Sequence, residues 1–176
     1  MFTSSDLAAT DWAINNYEKS LYVRFEVGSL VYSFDSNGTI YYSYTNSVVG
    51  DAHSVQPYNT QGNVPANGTI VNALHTHPNS NTFSGAGQNA TNGDLPFARN
   101  NGIGLYLISP NRNLQLYADH GNGYVTATVA RNLQTRPLTN AEKQALQQQY
   151  QDQWNAHIQN GCPQGFDCEN LTWPTP

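Results

Sequence analysis

The 176-residue sequence predicts an α+β layered domain. Three observations lead to it: helical periodicity at both ends, strand periodicity between them, and an Asn-Gly turn joining two of the strands. The length suits a single domain over 1–176, because roughly 100–200 residues can bury one adequate core.

At the N-terminus Leu7, Ala13, Ile14, Tyr17 and Leu21 recur at three- and four-residue spacing, with Thr3, Ser4 or Ser5 as N-cap. This predicts a helix over 3–20. From Leu21 the period changes to that of a strand, so 21–28 reads as one strand that 28–34 continues or follows. Asp35-Ser-Asn-Gly38 is a hairpin turn returning the chain into a strand at 39–44. Residues 50–68, rich in Gly, Pro, Asn and Gln, read as a surface excursion with a short strand around 53–55. A buried strand at 69–74 then runs into His75, and 79–93 is a loop. A short helix follows at 94–101, with Thr91 or Asn92 near its cap and Pro96 in its first turn. Strands are expected at 103–108, 114–117 and 124–129. Thr139-Asn-Ala-Glu142 is a capping box opening a helix over 139–160, with Ala145, Leu146, Tyr150, Trp154 and Ile158 on one face.

Composition narrows the function classes. Hydrophobic residues make up 38% and charged residues 11%, so the polarity resides in uncharged amides and hydroxyls. The formal charge of −5, with seven Lys plus Arg and no basic cluster, argues against a nucleic-acid partner. No apolar run approaches the roughly 20 residues of a membrane span. The start lacks the basic and apolar regions of a signal peptide, so export would be by another route or as part of a larger protein. Cys162 and Cys168 read as a disulfide closing a small loop, with two free thiols as the alternative. Asn-x-Ser/Thr triplets at Asn37, Asn67, Asn89 and Asn170 are what an Asn- and Thr-rich chain produces by chance.

The chemistry centres on His75-Thr-His77-Pro78. Imidazoles at i and i+2 at a strand end lie on one side of the sheet and can reach one cation. Pro78 turns the chain away and leaves room beside them. A carboxylate on the next loop or helix start completes a three-ligand site with its fourth position open to water. Alone, His-x-His is equally well a polar strand end.

Two further features give the His75/His77 pair context: Glu26 on an early strand before a hairpin, and Thr91-Asn-Gly-Asp94. Together they resemble the signature of the JAMM (MPN-plus, Mov34/JAB-like) zinc metalloprotease superfamily, closest to the JAB-like domains of bacterial secreted toxins. The resemblance covers residues 22–118. It implies a mixed, curved sheet flanked by helices in a cytidine-deaminase-like MPN architecture. It also implies zinc held by His75, His77 and Asp94, Glu26 as general base, and Thr91 or Ser84 as oxyanion donor. The spacing from His77 to Asp94 exceeds the family pattern by several residues, which places an insertion in 79–89. Ser84 lies nearer the usual distance, but Ser84-Gly-Ala-Gly87 then puts glycine where the metal Asp belongs.

The expected activity is hydrolysis of peptide or isopeptide bonds, with a protein, peptide or peptidoglycan stem peptide as substrate. A toxin or effector of this kind would be paired with an immunity protein. A non-catalytic MPN-like scaffold and an extracellular adhesion or sugar-binding domain are the alternative readings. Glu18, on the first helix, competes with Glu26 for the role of base. His53 reads as solvated or cleft-lining, His120 as part of a turn, and His157 as an exposed or boundary position on the last helix.

Overall fold

The structure, a computed structural model, describes residues 1–85 and 91–160. Helix α1 (Ser5–Val23) is capped by Ser4, whose Oγ accepts from the Leu7 N–H at 3.2 Å. Strands β1 (Val27–Ser36) and β2 (Thr39–Tyr44) form the expected hairpin, with Asn37 and Gly38 at φ 55° and 80°. Both central residues at positive φ are what a two-residue turn between right-twisted strands requires. Strand β3 (Val48–Val49) and a 3-10 helix (Pro57–Asn63) precede β4 (Gly68–Thr76). Helix α2 (Asp94–Asn101), β5 (Gly104–Ile108), β6 (Leu114–Asp119), β7 (Tyr124–Ala130) and α3 (Asn140–Asn160) complete the order.

The strands form one seven-stranded sheet in the order β2-β1-β4-β5-β6-β7, with β3 extending the β2 side of β1. Only β4 and β5 run parallel, joined through α2; the other pairs are antiparallel. The chain is thus α+β with a mixed sheet. Alternation along the strands sorts side chains to two faces. Val27, Val31, Leu74, Tyr106 and Ile108 pack under Ala9, Trp12 and Tyr17 of α1. Leu30, Ala73, Leu105 and Leu107 face the other way, with Phe83 and Ala98 of α2. His75 and His77 share the parity of Ala73 and therefore belong to this second face.

Several expectations are corrected. Residues 21–23 continue α1 instead of opening a strand. Tyr17, Ser20 and Val23 keep a three-residue rhythm of burial against the sheet, and this packing outweighs the strand preference of Tyr22-Val23. Arg24, at φ 58°, then ends the helix. Residues 53–55 form no strand, because the Asp51 carboxylate accepts from the backbone N–H groups of His53 and Ser54, both at 2.7 Å. That turn occupies the donors a ladder would need. Thr91 and Asn92 lie just before the cap position of α2, as read. Gly93 holds that position at φ 105°, and the Asp94 N–H is met by Ser84 Oγ at 3.0 Å.

At the C-terminal end the capping box forms as read, Thr139 Oγ1 accepting from Glu142 N–H while the Glu142 carboxylate accepts from Thr139 N–H. Leu146 is buried with Val23 and Phe25, but Ala145 is exposed. The side chains of Tyr150, Trp154, His157 and Ile158, together with Cys162, Cys168, Asn89 and Asn170, lie outside the described residues.

Candidate metal centre

Strands β1, β4 and β5, the loop after Pro78 and the start of α2 build the centre. On β4, Thr76 faces α1 between the two histidines. Its Oγ1 accepts from the Val27 N–H at 2.8 Å and donates to Ser20 Oγ at 2.7 Å. Ser20 in turn donates to the Phe25 carbonyl at 2.6 Å. This buried chain ties the end of α1, the start of β1 and the end of β4 together. It fixes Glu26 opposite the histidines, a position reinforced by its N–H donating to the Asp51 carbonyl at 2.7 Å. Gly28 pairs with His75 across the strands. A Cβ at Gly28 would meet Val55 Cγ2 at 2.9 Å, so only glycine lets the 53–57 segment cross β1 this closely.

The loop after Pro78 is anchored by Phe83, which is buried with its ring centroid 6.1 Å from that of His75 and 6.0 Å from that of Tyr117. Next to this anchor, Ser84 is locked to the start of α2. Its N–H donates to Asp94 Oδ2 at 2.7 Å, while its Oγ accepts from the Asp94 N–H. Gly93 permits the approach, since a Cβ there would lie 2.8 Å from Ser84 Oγ.

The result is a convergence of electron-rich atoms. His75 Nε2 lies 3.2 Å from His77 Nε2 and 3.2 Å from Asp94 Oδ1. His77 Nε2 lies 3.2 Å from Asp94 Oδ2 and 3.4 Å from Glu26 Oε1. His75 Nδ1 stands 3.0 Å from the Tyr106 carbonyl, to which it donates, leaving Nε2 as the unprotonated ring nitrogen of the neutral form. Such atoms repel one another unless a positive charge, either protons or a metal ion, lies among them.

The spacing fits a metal. A tetrahedral ion with bonds of about 2.0–2.1 Å holds its ligand atoms roughly 3.3–3.4 Å apart. His75, His77 and Asp94 form a group able to hold a metal ion. Glu26 is also buried. Burial pushes its carboxyl up to about 8; the His77 imidazole works against this, while the carboxylates of Asp94 and Asp51 add to it. For Asp94, burial acts in the same upward direction, yet the facing His75 and His77 and the Ser84 N–H outweigh it and hold the carboxyl well below its usual range.

The sequence-predicted residues Glu26, His75, His77, Ser84 and Asp94 are therefore brought together. Thr91 is exposed on the wall of an adjoining cavity of about 430 Å³. Glu18 is elsewhere, paired with Arg112 at 3.1 Å and accepting from Thr135. His53 is exposed at the mouth of the site, and His120 lies in the turn after β6. Sequence reasoning missed the anchoring role of Phe83 and the buried Asp51. A signal for Asp51 exists in Asp51-Ala-His-Ser54, a spacing suited to an Asx turn.

No protein-family model matches the chain, and no curated protein matches it.

Proposed function

We propose that the protein is a zinc-dependent hydrolase of peptide or isopeptide bonds with the arrangement of the JAMM superfamily. In this reading the sheet belongs to the cytidine-deaminase-like MPN architecture, and the domain acts as a secreted bacterial toxin or effector countered by an immunity protein. The observation that carries the proposal is the meeting of His75, His77 and Asp94 at 3.2 Å spacings beside a buried, separately held Glu26. A purely structural cluster gains nothing from a fourth, desolvated carboxylate.

His75 Nε2, His77 Nε2 and one Asp94 oxygen would hold the zinc. When bound, zinc supplies a Lewis acid that polarises a carbonyl and brings the pKa of a water toward neutrality. Its charge also favours the ionised form of Glu26, countering burial. Ionised Glu26 accepts a proton from the attacking water as the new C–O bond forms, then delivers it to the departing amine as the C–N bond breaks. Ser84 is better placed than Thr91 to stabilise the oxyanion. Its Oγ uses a lone pair on the Asp94 N–H, which leaves its own O–H free to donate into the cavity.

The test is Glu26→Gln against a mixed peptide library. The variant is expected to retain one zinc per chain and lose at least 100-fold in turnover. Unchanged hydrolysis would remove Glu26 from its role. Zinc binding without hydrolysis by the unaltered protein would favour the scaffold reading.

A further inference from the structure

Two cavities meet at the centre, one on each side. The larger, about 430 Å³, runs toward α2 and the 53–57 segment, with Gln56, Asn92, Asn100 and Asn101 on its walls. The smaller, about 220 Å³, runs along the loop after Pro78, past Asn79, Ser80 and Thr82. Both linings include Glu26, His53 and Ser84, so the two cavities are arms of one cleft that crosses the reacting position. Small-ligand sites span roughly 300–1,000 Å³. The second arm is too small to be a site of its own, yet suits the continuation of a chain that already fills the first.

The charge of the walls says which part of a chain fits. All seven Lys and Arg of the sequence lie among the described residues, and none lines either arm. No lysine or arginine is therefore available to hold a terminal carboxylate. Among the described residues the only carboxylates on the walls are Glu26 and Asp94, both belonging to the centre, and neither is left to hold a terminal ammonium. Outside the centre the polar side chains are amides and hydroxyls, with the His53 imidazole between the arms, and these pair with backbone amides and uncharged side chains.

We infer that the cleft takes the interior of an extended, uncharged polar peptide, threaded through both arms with the target bond beside Glu26, and not a chain end. The inference rests on the hydrolase reading for its chemistry, but the cleft can be tested by binding alone. The probes are peptides of Ser, Thr, Asn, Gln and Gly, acetylated and amidated at their ends, compared with the same sequences bearing free termini. Asn101→Trp fills the larger arm and Thr82→Trp the smaller; both residues are exposed and outside the centre.

With the zinc-loaded protein, blocked peptides are expected to be cut at internal bonds at least as efficiently as free ones. Each Trp variant should raise KM about tenfold with zinc content unchanged. Release of terminal residues alone, or a response from only one variant, would overturn the proposal. Binding of a labelled blocked peptide to zinc-loaded Glu26→Gln gives the independent readout. Loss of that binding with each of the two Trp substitutions upholds the two-armed cleft even where no bond is cut, and loss with only one overturns it. Binding indifferent to both substitutions overturns the cleft whatever the fate of the hydrolase reading.

Discussion

Glu26 carries the clearest consequence of burial at the level of single residues. With its pKa raised from 4.5 to about 8, the metal-free folded protein holds a proton that the unfolded chain has lost. Between those values Glu26 therefore makes stability fall as pH rises. Removing the charge reverses this, so metal-free Glu26→Gln should gain stability over the parent by on the order of 2–4 kcal/mol near pH 9 and little below pH 4. Urea denaturation across that range would show it, and parallel pH profiles would contradict it. Asp94 acts in the opposite sense, since its lowered pKa contributes stability that is lost as the solution is acidified below the ordinary carboxylate range. Phe83 is the other decisive residue. Phe83→Ala should cost about 3 kcal/mol by its cavity alone and weaken zinc binding by freeing Ser84 from Asp94. Unaltered zinc affinity in that variant would mean the loop is held by other contacts.

Among the elements, the joint between α1, β1 and β4 matters most. Thr76→Val keeps the shape but removes the acceptor for the Val27 N–H and the donor to Ser20. A buried group left unpaired costs about 1–3 kcal/mol. The variant should lose that much in thermal unfolding and also place Glu26 less firmly, lowering turnover more than zinc affinity. An equal fall in both would assign Thr76 to stability only. The same joint explains what the sequence could not tell. The hairpin at Asn37-Gly38, the α2 span and the His75 strand were legible because local chemistry decides each of them. The end of α1 was not, since Tyr22 and Val23 suit either state and only burial beneath the sheet selects the helix. The cap of α2 was hidden too, because Ser84 reaches it across a loop and not from the preceding turn.

For the molecule as a whole, the sheet order places β1 and β4 side by side and sets Ala98 of α2 in the cluster on their second face. Glu26, His75/His77 and Asp94 are distant in sequence, yet this topology makes their meeting a consequence of the fold. Their residue types and order were readable from the sequence; that Ser84 and not Thr91 meets Asp94 was not, because it depends on the path of the loop after Pro78. The proposed chemistry requires that the convergence of His75, His77 and Asp94 be a metal site. Metal analysis of the purified protein after exhaustive exchange into zinc-containing and then metal-free buffer tests this most directly. One tightly held zinc per chain, lost in His75→Ala and His77→Ala variants that remain folded, is the predicted result. A folded protein that takes up no zinc, or holds it equally well without the two histidines, would contradict the account.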